Sequence, residues 1–112
     1  MKDYLLLFRG GLDFTKAPAD QVRQVIFQWG NWVDELRRKE IYNGGDRVIR
    51  GEGAVIKGTA KKVINSPYVA NEEMIGVYIN IKAEDLQQAI QIAKNCPIFQ
   101  FDGNVEVREV AV

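Results

Sequence analysis

Near its start the chain carries five large apolar side chains in a row, Tyr4-Leu5-Leu6-Leu7-Phe8, flanked by Asp3 and Arg9. Successive side chains of a β-strand point to opposite faces, so a strand with one wet face alternates apolar and polar residues. An unbroken apolar run marks a strand covered on both sides. Gly10 and Gly11 end the run. Any fold this chain adopts must therefore place apolar cover over both faces of residues 3–9.

The next segment supplies one such cover. Pro18 suits the first turn of a helix, where its missing N–H has no helical partner. From there Val22, Val25, Ile26, Trp29, Trp32, Val33 and Leu36 recur at intervals of three and one, the stripe of an amphipathic helix over 18–39. At about 1.5 Å per residue it spans roughly 33 Å, enough to cross a sheet. Arg37, Arg38 and Lys39 complement the negative end of its dipole, as a solvated helix end does. Phe27 lies about 140° from Val22 at 100° per residue, on the polar face. It is read either as a lone surface aromatic or as part of an interface.

Glycines and short β-branched runs follow. They predict strands near 41–42, 47–49, 54–57 and 62–64, with Gly44 and Gly45 forming a bulge or turn. Residues 75–81 alternate, with Ile75, Val77, Ile79 and Ile81 on one face and Gly76, Tyr78 and Asn80 on the other. A second helix has Leu86, Ala89, Ile90 and Ala93 as its stripe. Glu84 and Asp85 sit at its positive end, and Asn95 precedes the Cys96-Pro97 stop. The last strand sets Val105 and Val107 against Glu106 and Arg108.

The order β–α–β(β)–β–α–β predicts an α+β fold, a ferredoxin-like split β–α–β with both helices on one face of an antiparallel sheet. Helices then cover only one side of the apolar first strand. In a single domain spanning residues 1–112, the simplest cover for the other side is the same sheet of a second copy, which gives a homodimer. The 15 basic and 15 acidic residues balance, so there is no broad attraction to nucleic acid and little repulsion against self-association. No run approaches the roughly 20 apolar residues of a membrane span, and no signal segment is evident. With a single cysteine, Cys96, no disulfide forms within the chain, and a cytoplasmic location is expected.

Composition also removes chemistry. The absence of histidine leaves out Ser-His-Asp and Cys-His catalysis and the usual imidazole base. A zinc site would need mostly carboxylates, and the glycine-rich phosphate cradles are missing. No cofactor and no metal are expected.

The segments "YLLLFRGG", "WGNWVDEL", "SPY", "IGVYINIKAEDLQQAIQIAKNCP" and "GNVEVREV" resemble the YCII-related family, in its branch named for an Asp-Gly-Pro-Phe motif. The resemblance runs over nearly the whole chain and is densest over 76–110. It implies a bacterial protein whose protomers pair through their sheets into a dimeric α+β barrel. Some relatives carry a histidine–aspartate pair proposed for acid–base chemistry, and some members are associated with sigma factors. Here the motif position reads Asn65-Ser66-Pro67-Tyr68 and the histidine is gone. What carries over is position: these four residues are expected at the mouth of a cleft between sheet and helix.

Two sets of residues are candidate ligand contacts. Asn65 and Tyr68 either build a plain turn with Ser66 and Pro67 or orient a ligand at a polar rim. Tyr78, Asn80, Glu106 and Arg108 share the sheet face away from the helices, with Arg9 close by. They form either cross-strand pairs in a dimer interface or a cavity in which arginine grips an organic anion. A general base would have to be Glu106, Asp13, Asp102 or Glu73, with a pKa raised towards neutrality. Trp29 and Trp32 are core, with a pocket wall as a secondary role, and Cys96 is inert. Three functions follow: a small-anion-binding protein, a histidine-free lyase or isomerase, or a partner-binding accessory domain using Phe27 and linked to transcription regulation.

Overall fold

The computed structural model describes residues 1–49, 52–68 and 74–111. Within these residues, six strands and two helices run in the order β1 (Lys2–Arg9), α1 (Ala19–Arg38), β2 (Tyr42–Val48), β3 (Val55–Lys57), β4 (Lys62–Ile64), β5 (Ile75–Ala83), α2 (Leu86–Ala93) and β6 (Asn104–Val110). A short 3-10 helix, Pro97–Phe101, precedes β6.

Four strands form the main sheet in the order β2-β5-β1-β6, and every neighbouring pair is antiparallel. β1 and β2 are thus parallel with β5 between them, and β5 and β6 are parallel with β1 between them. Each pair is bridged by a helix. This is the split β–α–β arrangement expected from the periodicities. β1 is central, so its apolar run is flanked by strands on both edges.

The alternation along β1 decides which face the helices take. Tyr4, Leu6 and Phe8 are buried, and they pack with Ile79, Ile81 and Ala83 of β5 against Trp32, Val33 and Leu36 of α1 and Ala89 and Ala93 of α2. Each fully buried side chain of this size contributes about 1.5–3 kcal/mol through removal from water. The intervening Leu5 and Leu7 lie on the other face and remain partly exposed. α1 follows its predicted stripe except at Ile26, which is 54% exposed. Asp85 caps α2, its side chain accepting from the Gln88 N–H.

The structure departs from the sequence expectation between residues 41 and 64. The two fragments predicted at 41–42 and 47–49 are one strand, β2, interrupted by register shifts around Gly45. Gly44 and Gly45 adopt φ of 103° and 96°, so they kink the strand without ending it. A Cβ on Gly45 would stand 2.7 Å from the Tyr78 carbonyl oxygen, which leaves room for glycine alone. β3 and β4 do not join the main sheet; they form a separate two-stranded hairpin with Ile56 opposite Val63. After the Cys96-Pro97 stop, the chain forms a 3-10 helix where the sequence pattern predicts no element.

Candidate functional site

At the end of the sheet where β1 finishes, a cavity of about 660 Å³ opens between α1 and the strands. Phe8 and Gly10 form its β1 side, Val77 of β5 adds a further wall, and Val25, Ile26 and Trp29 of α1 form the roof. The loop 11–14 and two residues of the 3-10 helix, Ile98 and Phe101, close the remaining sides. Such a volume suits a small organic ligand.

Local sequence explains each wall. Gly10 and Gly11 have φ of 73° and 86°, the left-handed turn that folds the chain back after β1. A Cβ at Gly11 would approach Ile98 Cγ1 to 2.9 Å, so the loop packs directly on the 3-10 helix. Phe8, Trp29 and Trp32 meet edge to face with centroids 5.1, 5.6 and 6.1 Å apart, which fixes the indole of Trp29 against the cavity. Gly30 also lines it, and a Cβ built there meets nothing within 4 Å. A glycine inside a long helix costs roughly 0.5–1 kcal/mol relative to alanine. Here the glycine is exposed at the border of the cavity, with open space where its side chain would stand.

Asp13 is the one charged residue among the described residues of the lining. Its Oδ1 accepts from the Thr15 hydroxyl at 2.6 Å and the Thr15 N–H at 2.9 Å. Those two bonds, helped by nearby Lys16, hold the carboxyl below its ordinary value.

The opposite face of the sheet carries most of the residues singled out from the sequence. Arg9 Nη1 donates to Glu106 Oε1 at 2.8 Å, and Arg108 Nη1 to Glu106 Oε2 at 3.1 Å. The two guanidinium groups, Arg9 first, lower the Glu106 pKa. In register, Leu7 stands between Glu106 and Tyr78, and Leu5 between Arg108 and Asn80. Lys82 and Asp3 pair at 3.1 Å further along the same face. Arg9, Tyr78, Asn80, Glu106 and Arg108 thus share one surface, a polar frame around two leucines.

Asn65 and Tyr68 are placed elsewhere. Both follow β4, both are exposed (Tyr68 to 76%), and neither lines the cavity. Glu73 lies outside the described residues. Asp102 is exposed at the end of the 3-10 helix in a left-handed conformation. Cys96 is buried, and burial pushes its thiol up to about 12. Tyr4 donates to Glu109 at 3.3 Å, but this pair lies at the far end of β1 from the cavity, with Lys2 also beside Glu109. The sequence predicts a cleft between sheet and helix with Trp29 as a wall, but not the rest of this lining. Its signals were the Gly10-Gly11 break after an apolar strand and the isolated Gly30 within the helical stripe.

Among the described residues no cluster of potential metal ligands occurs, and no helix is long and apolar enough to cross a membrane. No curated protein matches the sequence. The family model described as the YCII-related domain matches residues 18–112. The chain belongs to the YCII-related family.

Proposed function

We propose that this YCII-related chain is a single-domain, cytoplasmic small-molecule-binding protein that works as a homodimer, its ligand held between α1 and the sheet. The observation that carries the reading is the cavity of about 660 Å³, with aromatic walls and a helical glycine that leaves it open. The dimer reading rests on Leu5 and Leu7, two large apolar side chains at the centre of an uncovered sheet face.

The organic anion expected from the sequence has less support than binding itself. Arg9 and Arg108 face away from the cavity and are both engaged by Glu106, which favours cross-strand pairing at an interface over a grip on ligand. A lyase or isomerase role has less support still. It needs a carboxyl raised towards neutrality beside a pocket, whereas Glu106 and Asp13 are both held low. An accessory role in transcription regulation retains one favourable observation, the 69% exposure of Phe27 on α1.

Filling the cavity tests the reading. Gly30→Leu places a side chain into open space from a helix that gains about 0.5–1 kcal/mol by losing its glycine. The variant is expected to melt a few degrees higher than the wild type and to lose the thermal shift given by any small aromatic ligand that stabilises the wild type. A Gly30→Leu protein that kept the full ligand-induced shift would remove the cavity from the account.

A further inference from the structure

A cavity chooses its occupant by charge as well as by shape, and this one has an uneven balance. Its wall is aromatic and aliphatic apart from glycine backbone and Asp13. Among the described residues, no lysine or arginine belongs to the lining. Arg9, adjacent in sequence to the Gly10 wall, sends its guanidinium to Glu106 on the other face of the sheet. Lys16 lies near enough to Asp13 to favour its ionised form, yet it is exposed and outside the lining.

The Asp13 carboxylate is also held in place. Thr15 takes Oδ1 with two hydrogen bonds, while the Asp13 carbonyl accepts from Lys16 N–H at 3.2 Å and Ala17 N–H at 3.0 Å. Oδ2 makes no hydrogen bond to any described residue. The loop thus offers a positioned negative acceptor in the same lining as the rings of Phe14 and Trp29. Aromatic faces attract cations through their quadrupole, and a carboxylate does so through its charge. Both discriminate against an anion.

Accepting the cavity as the binding site, we propose that it selects aromatic amines over the corresponding carboxylic acids, the ring lying among the aromatic walls and the ammonium at Asp13 Oδ2. An exposed pair of this kind is worth little, so selectivity should be moderate, about two- to fivefold in Kd over the neutral molecule, and greater over the acid.

Three probes sharing one ring decide it: 1-naphthylmethylamine, 1-methylnaphthalene and 1-naphthoate, titrated calorimetrically at pH 7 and low salt against the wild type and Asp13→Asn. The asparagine keeps an oxygen for Thr15 while removing the charge, and circular dichroism checks that it folds. The expected order in the wild type is amine, neutral, acid, and Asp13→Asn should bring the amine level with the neutral probe. Raising the salt should narrow the wild-type gap. An acid that bound as well as the amine would overturn the charge preference and leave the cavity standing. An amine preference that survived Asp13→Asn would overturn the role given to that carboxylate. Failure of all three probes would strike at the binding reading itself, and the preference would fall with it.

Discussion

The two faces of the main sheet are drawn from the same strands and differ in nearly everything else. On the helix side, Tyr4, Leu6, Phe8, Ile79 and Ile81 are 1% exposed or less, and among the described residues no charged side chain is buried. One residue along, on the other side, Leu5 and Leu7 sit between ion pairs: Arg9–Glu106–Arg108 at one end and Lys82–Asp3 at the other. The first face is closed by its own chain. The second has the make-up of an interface, an apolar centre with a charged rim, and its two leucines remain partly exposed. The covered face accounts for folding; the proposed dimer would set the other against the same face of a second copy.

Adjacent leucines of β1 turn that contrast into a measurement. Leu6→Ala removes a fully buried side chain and should cost about 2–5 kcal/mol. Chemical denaturation should read this as a loss independent of protein concentration. A loss below 1 kcal/mol would mean that the helix-side core is looser than its burial indicates.

Leu7→Asp should leave that core intact and act on association. A charge in the middle of a sheet-to-sheet contact would be desolvated without a partner, so the dimer should dissociate by sedimentation equilibrium while the far-ultraviolet spectrum persists. The wild-type melting temperature should rise with protein concentration, and the variant's should not. A wild-type chain that stayed monomeric at high concentration would end the dimer proposal and leave Leu5 and Leu7 as exposed surface.

How far the sequence revealed this contrast depends on the kind of signal. The period-two alternation in β5 and β6 separated Ile79 from Asn80 and Val107 from Arg108 correctly, because a strand's geometry admits one assignment of faces. The helical stripe placed Trp32, Val33 and Leu36 in the core and Phe27 outside it. Signals were weaker where glycine does the work. Gly44 and Gly45 read equally well as a turn or a bulge, and only pairing with β5 distinguishes the two. Gly30 was hidden within a good helical stripe, since periodicity counts the side chains present and not the space left by one that is absent. Asp13 was recognisable as a carboxylate. Its place in a cavity wall depends on the 3-10 helix, a contact of some 85 residues' separation that no local pattern reports. The ion-pair cluster was half legible: face assignment brought Glu106 and Arg108 together, and the register of β1 with β6 supplied Arg9.

The smallest expected effect concerns acid. Glu106 has its carboxyl lowered from 4.5 by hydrogen bonds from Arg9 and Arg108, so the native state binds the proton less readily than the unfolded chain does. A depressed native value means that the stabilisation is fully present above the unfolded pKa and drains away as pH falls below about 4.5 and through the lower native value. Melting curves of the wild type and Glu106→Gln from pH 7 to pH 3 should therefore differ most at neutrality and converge in acid. Taking the difference between the two proteins cancels the separate contribution of Asp13, which is also held low. Because these groups reach solvent, added salt should shrink the neutral-pH gap. If a second sheet covers the face, screening should be weaker, and the gap should resist salt in the dimer more than in the Leu7→Asp background. A gap equally salt-sensitive in both would mean that water reaches this face whether or not the chain is paired.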